Sequence, residues 1–105
     1  MSSPQSEAFK RAVVDSKKLT SKPGNEDLLA IYALYKVATG EDFATAKAPG
    51  TFDFKGKAKY NAWKDLVEGD APSAEEAQAK YVTKIEELKA KYGYDENKEP
   101  EAVGA

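Results

Sequence analysis

Cysteine and histidine are both absent from this chain of 105 residues, and methionine and tryptophan occur once each. Without cysteine there is no disulfide framework and no thiolate metal site. Without histidine the chain lacks the usual general base near neutral pH and the commonest zinc ligand. No G-x-S-x-G nucleophile elbow is present either. No catalytic residue, metal or cofactor is therefore assigned. Long apolar runs are also missing, and nothing approaches the roughly 20 residues of a bilayer span. The opening Met1-Ser2-Ser3-Pro4-Gln5-Ser6-Glu7 has neither the basic flank nor the apolar stretch of a secretory signal. These absences lead to the expectation of one small, metal-free, cytoplasmic domain.

What is present is unevenly distributed charge. The net value of −2 conceals an acidic end, residues 95–105, in which Asp95, Glu96, Glu99 and Glu101 face one basic residue, Lys98. Residues 1–94 are left with fifteen basic and fourteen acidic side chains, too balanced for a nucleic-acid-binding surface. Between Phe43 and Lys64 the balance is different: Lys47, Lys55, Lys57, Lys59 and Lys64 stand against Asp53 alone. That stretch is a candidate anion-binding surface, or else an ordinary solvated helix face.

Apolar spacing predicts four helices and an all-α class. The first, about Ser6 to Leu19, is entered through Ser3-Pro4 and carries Phe9, Ala12, Val13 and Ser16 on one stripe. Thr20-Ser21-Lys22-Pro23-Gly24 breaks it. The second runs from Asn25 as N-cap to about Thr39, with Gly40 as its stop. A long connection from Glu41 to Asp53 follows, of the kind that usually has a function. The third covers Phe54 to Val67, with Ala62, Trp63 and Leu66 facing a core. The fourth begins at Ser73, whose spacing to Glu76 is that of a capping box. Its apolar positions Ala74, Ala77, Tyr81, Ile85, Leu88 and Tyr92 keep helical register up to Gly93. From Asp95 onward the acidic, nearly apolar-free tail is expected to be disordered, which places the domain at 1–94.

The second helix brings Tyr32, Tyr35 and Lys36 within one arc of about 100°. On the third, Lys55 and Lys59 are i,i+4 neighbours, whereas Lys57 points largely elsewhere. Tyrosine supplies a flat apolar face with a hydroxyl, and lysine a mobile charge for phosphate. The pattern suits a ligand with an aromatic base and phosphate, or else half-buried core tyrosines beside solvated lysines.

The run Tyr32-x-x-Tyr35-Lys36-x-Ala38-Thr39, then Pro49-Gly50-x-x-Asp53-Phe54-Lys55-Gly56-Lys57-Ala58-Lys59, then Asn61-Ala62-Trp63 and Tyr81, resembles the acyl-CoA-binding protein family. The similarity extends from about Phe9 to Tyr94. It implies a four-helix bundle of up-down-down-up order with an open groove for one long-chain acyl-CoA. Carried over by position, the ligand contacts would be Lys17, Tyr32, Ala33, Leu34, Tyr35, Lys36, Lys55, Lys59 and Tyr81. Lys36 and Lys59 would meet the 3′-phosphate, and Tyr32, Tyr35 and Tyr81 would flank the nucleotide. The implied role is that of a monomeric, cytoplasmic carrier in transient contact with acyl-CoA-using enzymes or membranes. Against the family pattern, the loop before Pro49-Gly50 is one residue longer. Ala48 stands where a basic residue is frequent, with Lys47 one place earlier, and Tyr60 stands where tryptophan is common. A helical module for a protein partner and a thioester-cleaving enzyme are the rival classes.

Overall fold

The computed structural model describes residues 5–99. Its elements are α1 (Glu7–Ser16), α2 (Asn25–Ala38), a 3-10 turn (Phe43–Thr45), α3 (Phe54–Glu68) and α4 (Ala74–Tyr92). The all-α expectation therefore holds. The Ser3-Pro4 entry lies outside the described residues; within them, Ser6 caps α1, its hydroxyl accepting from the Phe9 amide at 3.0 Å. The capping box is present at α4: the Ser73 amide donates to Glu76 and the Glu76 amide to the Ser73 hydroxyl, at 3.0 and 3.1 Å.

Two helix boundaries differ from expectation, both for tertiary reasons. The first helix stops at Ser16 rather than Leu19. Lys17 and Lys18 tighten into i−3 hydrogen bonds, and Leu19 leaves the helix to enter the core and pair with Tyr94. Asn25 is the first helical residue of α2, not its cap. Gly24 takes the cap position without any side-chain bond. Its amide instead donates to the Tyr92 hydroxyl at 3.0 Å, so α4 fixes where α2 begins.

The packing partners establish direction. Ser6 meets Gln78, Phe9 meets Tyr81, and Asp15 meets Lys89, so α1 and α4 run parallel. Asp27 reaches Lys84 and Tyr92, while the Ala38 carbonyl accepts from Gln78, so α2 is antiparallel to α4. Lys59 lies over Tyr32 and Lys36 over Trp63, so α3 is parallel to α2. The order is up-down-down-up. It also explains the long connection. A helix of 14 residues spans about 21 Å at 1.5 Å per residue. A parallel α3 can start only after the chain has returned that distance, which takes at least about six extended residues. On the way the 3-10 turn packs Phe43 against Tyr60 and Trp63, with ring centres at 4.9 and 5.0 Å.

The core is built from Phe9, Ala12, Leu19, Ile31, Ala38, Ala77, Tyr81, Ile85 and Leu88. The stripe expected on α4 is thus buried from Ala77 to Leu88. Gly93 ends that helix at φ +84°, and a Cβ there would collide with the Thr20 hydroxyl. Residues 95–99 of the acidic tail lie against the turn after α1. The Asp95 amide donates to the Lys18 carbonyl at 3.2 Å, and Lys98 Nζ to the Leu19 carbonyl at 2.7 Å. The tail's remaining positions, 100–105, lie outside the described residues.

Candidate functional site

A cleft of about 540 Å³ opens beside α2, between α1, α4 and the beginning of α3. Its apolar lining comes from Val13, Leu28, Leu29, Ile31 and Ala58, and its aromatic lining from Tyr32, Tyr35, Phe54 and Tyr81. Lys17, Lys22, Lys55 and Lys59 add the cations. Among the described residues, no carboxylate pairs with any of these four. Apolar walls with unpaired ammonium groups favour an amphipathic anion: the walls shelter its hydrocarbon, and the lysines meet its charge.

Local sequence explains how these side chains reach the cleft. Asp53 caps α3 by accepting from the Gly56 amide at 2.9 Å, which aims the first turn, with Phe54 and Lys55, at α2. A Cβ at Gly56 would crowd the capping Asp53 carboxylate, so glycine leaves room for the cap as it stands. Lys57 turns back onto the loop, donating to the Thr51 carbonyl at 2.6 Å, as its different direction on the helix predicts. Phe9, Tyr35 and Tyr81 form one aromatic cluster, with Phe9 and Tyr81 edge to face at 5.1 Å. Burial raises the pKa of the Tyr81 hydroxyl above its usual value, against a hydrogen bond with Ser16, so it remains protonated at neutral pH.

Six of the nine expected residues, Lys17, Tyr32, Tyr35, Lys55, Lys59 and Tyr81, surround this cleft. Three do not. Ala33 is buried in the bundle and Leu34 packs against the core; their directions on α2 differ from that of Tyr32, and neither lines the cleft. Lys36 lies in an adjoining cleft of about 560 Å³, which it shares with Glu41, Lys47, Pro49, Tyr60 and Trp63. Tyr32 and Lys59 border both spaces. The Tyr32 ring lies between them with Lys36 Nζ at 5.6 Å and Lys59 Nζ at 5.4 Å from its centre. These are cation–π distances, and together they mark a place with two positive charges beside an aromatic face. The Lys36 ammonium is also 3.0 Å from Glu41 and 5.5 Å from the centre of the Trp63 ring system.

Sequence reasoning missed Asn25, Leu28 and Leu29. Helical spacing from Tyr32 back along α2 would have found Leu28 and Asn25. It also missed Lys22, which sits in a turn with no periodic signal. Among the described residues no group of three or more His, Cys, Asp or Glu side chains converges as a metal site would require. No described helix is long and apolar enough to cross a membrane.

A small helical bundle with an amphipathic cleft is a ligand-binding architecture, and comparison with known proteins specifies which one. The family model for "Acyl CoA binding protein" matches residues 6–85. Acyl-CoA-binding protein homolog 1 of Caenorhabditis elegans is 48% identical over 86 residues, covering 82% of this chain and 95% of that one. The acyl-CoA-binding protein of Brassica napus is 46% identical over 82 residues, covering 78% and 85%. In three dimensions, the crystal structure of Oryza sativa acyl-CoA-binding protein 2 superimposes with a TM-score of 0.70 at 38% identity. That match covers 81% of this chain and 90% of the rice chain. The chain belongs to the acyl-CoA-binding protein family.

Proposed function

We propose that this protein binds medium- and long-chain fatty acyl-CoA thioesters and acts as their cytoplasmic carrier, buffer and pool former. The observation that carries this reading is the junction at Tyr32. There an apolar cleft meets two lysines over one aromatic ring. Burying a methylene is worth about 0.8 kcal/mol, so a dozen would contribute on the order of 10 kcal/mol before the ligand's ordering is subtracted. Leu28, Leu29, Ile31 and Ala58 would shelter the chain. Lys36 and Lys59 would take the 3′-phosphate, with Tyr32 and Tyr35 against the nucleotide and Tyr81 behind Tyr35. Lys17 and Lys55 would serve the remaining phosphates.

Binding without turnover is the reading favoured by a sequence that has no Cys, no His and no nucleophile elbow, the usual means of attacking a thioester. A single chain encloses the cleft, which supports a monomer that meets enzymes or membranes only while loading and unloading. The test is calorimetric titration with palmitoyl-CoA, palmitate and CoA. Palmitoyl-CoA is expected to bind at least about a hundredfold more tightly than either half of it, because only the thioester uses both the apolar wall and the lysines. Equal binding of palmitate would remove the nucleotide from the site. Steady release of free thiol from palmitoyl-CoA would make the protein an enzyme, and no thermal shift with any ligand would favour an interaction module.

A further inference from the structure

Lys36 is the one cation expected at the phosphate that the fold has already paired with an anion. The partner is Glu41, and the backbone fixes it in place. At the end of α2, Gly40 adopts φ +78° and its amide donates to the Val37 carbonyl. The next amide, that of Glu41, donates to the Lys36 carbonyl at 3.1 Å. This pair of bonds is a Schellman cap, which sets the residue after the glycine beside the residue one turn before the helix end. The Glu41 side chain therefore starts next to Lys36. Its two oxygens lie 3.1 and 3.0 Å from Lys36 Nζ, and the Thr39 hydroxyl is 3.5 Å from one of them.

The other acids of this cleft are used differently. Asp42 accepts from the Ala44 amide and Asp53 from the Gly56 amide, each closing a turn. Glu41 closes no turn with its carboxylate, which is directed at the ammonium group.

We propose that Glu41 is an internal competitor for the ligand's phosphate. It holds Lys36 as a substitute anion in the empty protein and gives it up when acyl-CoA enters, so it limits affinity for the phosphorylated nucleotide specifically. The inference rests on the reading that Lys36 meets the phosphate. A carboxylate in contact with Lys36 neutralises half of the positive pair over Tyr32, and it repels a dianion that approaches the same ammonium. The carrier thereby binds less tightly than its cations allow, which favours release to the enzymes that consume the ligand.

The experiment is calorimetry at low salt with palmitoyl-CoA and its 3′-dephospho analogue. The proteins are wild type, Glu41→Gln, Lys36→Ala and the double variant, each first checked for helical content and melting temperature. Glu41→Gln is expected to bind palmitoyl-CoA about two- to fivefold more tightly, the scale of a half-exposed ion pair. The gain should shrink as salt is added. The dephospho analogue should change by less than about 1.5-fold, and the gain should vanish on the Lys36→Ala background. Equal gains for both ligands would make Glu41 a structural residue and overturn the proposal. An undiminished gain without Lys36 would overturn it as well, by showing repulsion rather than competition. If wild type prefers palmitoyl-CoA over the analogue while Glu41→Gln changes nothing, only the role of Glu41 falls. If wild type shows no such preference, the phosphate placement falls with it.

Discussion

The two sides of α2 use the same residue types for opposite ends. On the side facing α4, lysines and tyrosines are satisfied within the protein. Asp27 accepts from the Tyr92 hydroxyl at 2.6 Å and pairs with Lys84 and Lys91 at 3.0 and 3.2 Å. The Tyr92 bond first, then the one from Lys84, hold its carboxyl well below the usual carboxylate range. Asp15, on α1, repeats the pattern against α4. Burial disfavours its charge most, but hydrogen bonds from Lys89 and Tyr94, with the charges of Lys89 and Arg11, outweigh that and keep its pKa below the ordinary value. On the side facing α3, by contrast, Lys55 and Lys59 have no carboxylate partner among the described residues, and the buried Trp63 indole N–H has no acceptor. Departures from local pairing of this kind collect at functional or strained sites. The clamp side holds the bundle together, and the open side is where the proposed function puts the ligand.

The largest effect should come from the open side. Lengthening the ligand from octanoyl- to palmitoyl-CoA adds eight methylenes, worth about 6 kcal/mol if all leave water. A gain in affinity of at least about a hundredfold is therefore expected by calorimetry. Equal affinities would show that the apolar lining of the cleft holds no acyl chain, and the contrast between the two sides would lose its functional meaning.

The clamp side should answer in stability instead. Asp27→Asn breaks hydrogen bonds to a charged group and should lower the unfolding free energy by about 2 kcal/mol, while palmitoyl-CoA affinity changes by less than about threefold. Denaturant titrations read the first and calorimetry the second. The pH dependence has a definite sign, because the carboxyl of Asp27 is more acidic in the folded chain than its ordinary value of 3.8. Its contribution is complete above that value and is lost as the pH falls through the folded one. The wild-type advantage over Asp27→Asn should consequently shrink below about pH 4. A difference that grows on acidification would mean that Asp27 is not held as an anion.

The smallest effect concerns the acidic tail. Ending the chain after residue 99 should leave melting temperature and affinity within error. Ending it after residue 94 removes the bonds from Asp95 and Lys98 to the turn that carries Lys17 and Lys22 to the cleft. A loss of about 1 kcal/mol in stability is expected, together with an affinity loss of about twofold. If both truncations behave alike, the boundary at 94 stands as read from composition, and the turn needs no support from the tail.

The sequence alone determined four helices, the capping box at Ser73, the stop at Gly93 and the core stripe of α4, because each rests on neighbours within one or two turns of chain. The family and most of its cations were legible for a related reason: they form an ordered series of residue types with fixed spacing. Only the tertiary structure decided the rest. Leu19 leaves α1 because Tyr94, far along the chain, pairs with it, and Gly24 caps α2 because Tyr92 holds its amide. Composition marked residues 95–99 as free, yet the turn after α1 presents carbonyls that they reach. Helical spacing placed Lys36 beside Tyr32 and Tyr35, but not Glu41 beside Lys36, which follows from how the helix is capped. Local spacing dictates what one segment can form. Which groups remain unpaired, and so free for a ligand, depends on what every other segment brings to them.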